Sequence, residues 1–314
     1  MRPLAASLFA LASLIFFSQP AHAAADGPVY EYLGFFGANG QGFGQFWNAF
    51  DLAVSPTGVV YVADRGNNRI DYFGPDGSSL GQWGDLGSGP GQFRSPTGID
   101  VDQIGFVFVT DPGNGRVQKF TSTGAFVAEF GAAHFTDPPL AIAVNPDGVV
   151  SVGTRSTVLL FDNSGGFLSS FPVAYPYALT VLPDTSIVLN LYQGYDVGKY
   201  SPRGLLLAQA LANGPCGPLY PSDIARDPEG RIVVANGGAQ TLAFFDADLS
   251  CLGRWVAPRY PDGPIIPPTL NSVGFAANGD LYILDAVYTR IAHYRPLSVP
   301  ARTATWGSLK ALYR

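Results

Sequence analysis

Residues 52–73 read LAVSPTGVVYVADRGNNRIDYF, and the fold follows from how this stretch is punctuated. A short apolar segment comes first. SPTG at 55–58 is a turn, because proline presets φ and glycine accepts a positive φ near the turn's end. VVYVAD is rich in β-branched and aromatic residues and reads as a strand. A second turn, holding Asn67 and Asn68, leads to another strand over 69–73. The same frame recurs. Its first residue has equivalents at Leu52, Ile99, Ile142, Leu179, Ile224 and Val273, spaced 47, 43, 37, 45 and 49 residues apart. Six residues after each anchor stand Gly58, Gly105, Gly148, Thr185, Gly230 and Gly279. Twelve after stand Asp64, Asp111, Thr154, Leu191, Asn236 and Asp285. An aromatic closes the third strand at Phe73, Phe120, Tyr200, Phe245 and Tyr294, with Phe161 two residues early in the third copy.

Third turns such as GPDG at 74–77 and TSTG at 121–124 lead to a fourth strand in each copy. A repeat of this length made of four short strands is a propeller blade. The expected fold is all-β: a six-bladed β-propeller with four antiparallel strands per blade. The pattern G-x-a-V-x-P-x-G-x-V-Y-V-A-D-x-x-N-x-R-I-x-x-F-x-x-x-G resembles the NHL-repeat family of propellers. Copies 1 (52–84) and 2 (99–131) match it closely, and copy 6 (273–294) matches well. Copies 3 to 5 keep the spacing but lose the Asp, Asn and Arg. The resemblance implies the fold and leaves the activity open, because propellers carry many unrelated functions. Copy 6 lacks a fourth strand. VYEYLGFFG at 29–37 resembles AFVAEFG at 125–131 and is expected to supply it, in competition with RTATWG at 302–307.

Residues 1–23 read as a secretory signal peptide: Arg2, an apolar run over 4–17, and Ala21-His22-Ala23 as the cleavage site. The expectation is an exported protein, periplasmic or extracellular, with 24–314 as one propeller domain and no later membrane span. The formal charge of −6 becomes −7 once Arg2 is removed. An acidic chain without a basic block is a poor partner for nucleic acid, although some NHL propellers bind RNA. Export permits a disulfide between Cys216 and Cys251. The frame works against it, since it places Cys216 where first strands begin and Cys251 at the start of a fourth strand, near the opposite face.

Candidate site residues fall into three groups. The pairs Asp64/Arg69, Asp111/Arg116 and Asp285/Arg290 share one spacing across the second-to-third-strand turn and are expected to be structural. Phe46 and Phe93 stand in a repeated Gly-Gln-Phe and are expected to be packed wedges. Trp47, Tyr177 and Tyr260 follow no such register. With Arg65, Tyr192, Tyr195 and Arg259 they are expected to line a face that binds a protein, peptide or glycan, because exposed Tyr, Trp and Arg favour recognition. Asp51 and Asp223 precede their anchors at the channel mouth. They are candidates for Ca²⁺, an oxygen-loving cation, against capping of the strand start by backbone and water. Only His134 and His293 remain after residue 23, and they should not meet. The zinc-dependent amidating lyases that resemble this family use more histidines than that. Lactonase-type propellers, which resemble the fold too, hold acidic and amide ligands in the channel. The leading expectation is a non-enzymatic binding module without a cofactor. The alternatives are a metal-dependent lactonase- or lyase-like enzyme at the channel and a structural envelope component.

Overall fold

The computed structural model describes residues 28–191, 195–237, 239–256, 270–285 and 287–297. Six four-stranded antiparallel sheets follow one another along the chain. Blade 1 comprises Asp51–Val54, Val60–Asp64, Arg69–Phe73 and Ser79–Trp83. Blades 2 to 5 repeat this order, beginning with Ile99–Val101, Ala141–Val144, Leu179–Val181 and Pro221–Arg226. Blade 6 takes its three inner strands from Leu270–Phe275, Leu281–Asp285 and Arg290–Pro296. Its outermost strand is Tyr30–Phe36, paired antiparallel from Tyr30↔Pro296 to Phe36↔Ile291. The strand Tyr30–Phe36 thus closes the ring, while 302–307 and the stretch 1–23, expected to be a signal peptide, lie outside the described residues. Among the described residues no helix is long and apolar enough to cross a membrane.

Middle strands such as Val60–Asp64 and Val107–Asp111 are buried along their whole length. Each is sandwiched between two blades, so both of its faces must be apolar or hydrogen-bonded. The core accordingly divides into six clusters, one per blade interface. Ala53, Tyr61 and Ile70 of blade 1 meet Ile99, Val107 and Phe120 of blade 2 in one of them. The closing strand joins two interfaces: Tyr30 packs on Trp255 of blade 5 at 5.2 Å, and Phe36 on Phe73 of blade 1 at 5.1 Å. The first turn of five blades ends on glycine at φ between 83° and 92°, and in blade 4 Thr185 takes the same place at φ 65°. A β-branched residue is strained there.

The loops between blades start and end on one face but do not lie flat on it. They dive along the flank of the blade they lead into. Phe46 and Phe93 are fully buried wedges against Phe73 and Phe120, at 5.5 and 5.6 Å. In blade 1 a Cβ on Gly44 would meet Ser79 Cβ at 3.4 Å, so the loop reaches the start of the outer strand. Cys251 is the blade 5 equivalent of Ser79, since each pairs with the aromatic that closes the third strand. The same dive carries Cys216 to Cys251, and they form a disulfide with Cα atoms 5.5 Å apart. The frame's placement of these cysteines on opposite faces is corrected by the depth of the loop.

Candidate functional site

The three Asp/Arg positions sit where second and third strands meet. In blade 1 Arg69 Nε lies 3.0 Å from Asp71 and 3.3 Å from Asp64. Its two terminal nitrogens donate to the carbonyls of Gln41, Gly42 and Gln45. Asp64 accepts from the Trp47 N–H and from Asn67. Blade 2 repeats the arrangement: Arg116 donates to Asp111, Gly89 O and Gln92 O, and Asp111 accepts from Arg94 N–H and Asn114. These residues are clamps on the loop entering the blade. In blade 6 Asp285 accepts from the N–H groups of Val287 and Tyr288, and Arg290 stacks over Phe35 at 4.3 Å. Burial raises the pKa of Asp64, and it pushes Asp71 up to about 7.

Inter-blade loops and second-to-third-strand turns share one face, and the channel opens there. A cavity of about 240 Å³ forms its mouth, between Phe50, Asp51, Ile142, Tyr177, Asp223 and Asn271. Beneath it a cavity of about 180 Å³ runs among all six first strands. Tyr177 stacks with Tyr175 at 6.0 Å, and the Arg65 guanidinium lies over Phe50 at 5.5 Å. Trp47 follows the wedge Phe46 and is packed against Gly66, yet 53% exposed. Tyr195 meets Tyr220, the neighbour of mouth residue Pro221, at 4.9 Å. Its positive φ of 55° belongs to the frame, since Asn68, Gln240 and Thr289 adopt φ of 50–55° just before their third strands. Tyr177 lines the mouth, while Trp47, Arg65 and Tyr195 stand in loops and turns of the same face outside its lining. Tyr192, Arg259 and Tyr260 lie outside the described residues.

Asp51 and Asp223 line the channel, joined by Asp100, which the sequence frame did not single out. Each carboxylate is a staple between blades. Asp51 accepts from its own strand at Leu52 N–H, from blade 2 at Ile99 N–H, and from the blade 6 hydroxyl of Ser272. Asp100 accepts from Val101 N–H and from Val144 N–H of blade 3. Asp223 accepts from Ile224 N–H and from Val273 N–H of blade 6. Ser272 stands where Asp51 and Asp223 stand in their blades and accepts from Leu52 N–H. A signal for Asp100 was present: it is the one acid inside a first strand at the position after its anchor.

Burial in the narrow channel disfavours the charged forms. It raises Asp100 to about 7 and Asp223 to about 6, and with the nearby Asp223 carboxylate it holds Asp51 well above the usual range. Every oxygen of Asp51 and Asp223 accepts a hydrogen bond from the protein, which is the strand-start capping by backbone that the sequence offered beside Ca²⁺. Among the described residues no three His, Cys, Asp or Glu are grouped to hold a metal. His134 stacks on Phe167 and His293 on Tyr282, both away from the channel lining.

The profile of the NHL repeat matches residues 46–70 and 93–120, which are the loops and inner strands of blades 1 and 2. With the six four-stranded sheets, this makes the chain a six-bladed β-propeller with NHL repeats in blades 1 and 2. Among solved structures it is similar to a streptogramin B lyase, with TM-score 0.61 and 12% identity over 86% of this chain and 98% of that one. It is similar to virginiamycin B lyase from Staphylococcus aureus, with TM-score 0.59 and 13% identity over 86% and 99%. A catalytically inactive histidine-to-alanine form of that enzyme with quinupristin matches with the same values. At such identities the likeness is one of fold. No curated protein matches by sequence.

Proposed function

We propose that this propeller is an exported, non-enzymatic recognition module that takes a polypeptide segment across the aromatic mouth of its channel. One observation carries the reading. The channel carboxylates are occupied as inter-blade staples, whereas Trp47, Tyr177, Tyr195 and Tyr220 point exposed aromatic surface at the same face. Aromatic side chains around a concave opening supply large contact area at low entropy cost, the usual make-up of a binding hot spot. The buried acids beneath favour a neutral or cationic group at the mouth over an anionic one.

The test is selection from a displayed peptide library, repeated with the Trp47→Ala/Tyr177→Ala variant. Sequences enriched on the wild type should bind the variant at least about tenfold more weakly, a loss of about 1.4 kcal/mol. The variant's melting temperature should be unchanged. Equal binding would reject this face. A second reading, an acid–base enzyme at the same mouth, draws on Asp223, whose pKa of about 6 lies where a proton can be exchanged. Melting with chelator and then with Ca²⁺, Mg²⁺ or Zn²⁺ separates its metal-dependent form: a metal-dependent rise lost in Asp223→Ala favours the enzyme.

A further inference from the structure

The residue two places after each anchor lines the lower channel in all six blades. It is Val54, Val101, Val144 and Val181 in blades 1 to 4, and Phe275 in blade 6. Blade 5 has Arg226 there. Blades 3 to 5 otherwise depart from the repeat by losing charge, and this departure brings a charge into an apolar ring. A guanidinium stays protonated at any ordinary pH. The Nη1 of Arg226 is buried and has no hydrogen-bond partner among the described residues. The adjacent carboxylate is committed elsewhere: Asp227 accepts from the N–H and Nε of Arg231, which also reaches Glu229. Burying a charged donor without a partner is costly, so the position calls for an anion.

Below the ring lies a basin of about 380 Å³, on the face opposite the aromatic mouth. Val54, Gln103, Arg226, Asp227, Phe275 and Ala277 line it, with the Asp227 carboxylate held in its ion pair with Arg231. The size suits a small organic ligand. We propose that this basin binds a small monocarboxylic acid with an apolar body, its carboxylate on Arg226 and its body against Phe275 and Val54. Arg226 is the one cation in the lining among the described residues, and Asp227 is neutralised by Arg231, so one negative charge is balanced and a dianion is left half compensated. Deeper in, the channel lining offers an anion no second cation, only the acids Asp51, Asp100 and Asp223. The ligand therefore enters and leaves by the lower face. This site is independent of the upper-face reading.

Isothermal titration with phenylacetate, and with phenylacetamide as its neutral isostere, tests it. Saturable one-to-one binding of phenylacetate is expected, at least about tenfold tighter than the amide, as charge-assisted pairing requires. Arg226→Gln should abolish it without lowering the melting temperature, and Trp47→Ala on the other face should leave it intact. Arg226→Lys, which keeps the charge without the fork, should weaken phenylacetate yet preserve its advantage over the amide. This variant serves where Arg226→Gln does not fold. The proposal is overturned if the wild type shows no saturable binding, binds acid and amide alike, or binds inorganic phosphate more tightly than phenylacetate. Retained phenylacetate binding in Arg226→Gln, or equal binding of acid and amide by Arg226→Lys, also overturns it.

Discussion

Blades 1 and 2 fasten the loop that enters them with an arginine, whereas blade 5 fastens its loop with a disulfide. Arg69 and Arg116 gather loop carbonyls from the top of the third strand. Blade 5 has Thr241 in that place, and Asn236 stands in for Asp64, accepting from Tyr220 N–H and donating to Pro218 O. Cys216–Cys251 then holds the loop deep on the flank. The strands are alike in both regions. The comparison shows that the frame of turns and apolar strands sets the blade, and that the fastening of the loop is a separate task open to different chemistry.

Removing a fastener from each region is the sharpest way to break this comparison. Arg116→Met should be the most destabilising change, about 3 to 5 kcal/mol, because it strands buried Asp111 and the loop carbonyls. Denaturant unfolding measures it. Next comes Cys216→Ser/Cys251→Ser, or reduction. The bond spans 35 residues, so its loss should cost about 3 to 4 kcal/mol. Amide exchange should then rise over 211–219 and not in the loops of blades 1 and 2. A rise spread evenly round the ring would mean that the loops are not separately held.

The channel staples divide the ring in another way. Asp51, Asp100, Asp223 and Ser272 tie blades 5, 6, 1, 2 and 3, while blades 3 and 4 have Ala141 and Ala178 before their anchors. The native Asp100 keeps its proton up to about pH 7, and an unfolded aspartate loses it near 3.9. Between these values the native state binds more protons, so this contribution is full below about pH 4 and is lost as pH rises through 7. Wild-type stability should fall by on the order of 2 kcal/mol from about pH 5 to 8. The fall should shrink in Asp100→Asn, and an unchanged pH slope would count against the buried acid. The smallest effect belongs to blade 4. Thr185→Gly removes a strained φ of 65° and should raise stability by about 0.5 to 1 kcal/mol, read as a melting-temperature increase.

The blade count, the strand order and the closing strand were legible because turn residues and apolar runs are local and recur six times. Phe46 and Phe93 as wedges were legible for the same reason. The Asp/Arg pairs were placed at the right turns, but their work on the loop was hidden, since Gln41 or Gly89 lies 27 or 28 residues away and offers only a backbone carbonyl. The course of the loop at 211–219 was not legible either. Nothing in a run such as LANGPCGPL says how deep it dives, so the disulfide that export permits stayed open. Asp51 and Asp223 stood between Ca²⁺ ligation and capping of their own strand starts; the tie to the next blade was hidden, because its N–H donors lie 48 and 50 residues further on.

The closing strand has a consequence for how the molecule is made and undone. Tyr30 pairs with Pro296, so the first strand to leave the ribosome is the last to find its partner. Until then its tyrosines and phenylalanines present an open edge, the kind of surface that invites other strands. Once docked, the same ladder carries any load applied between the ends of the chain. A single molecule pulled from its ends should give way first at this seam, releasing one strand and opening the ring before any blade comes apart.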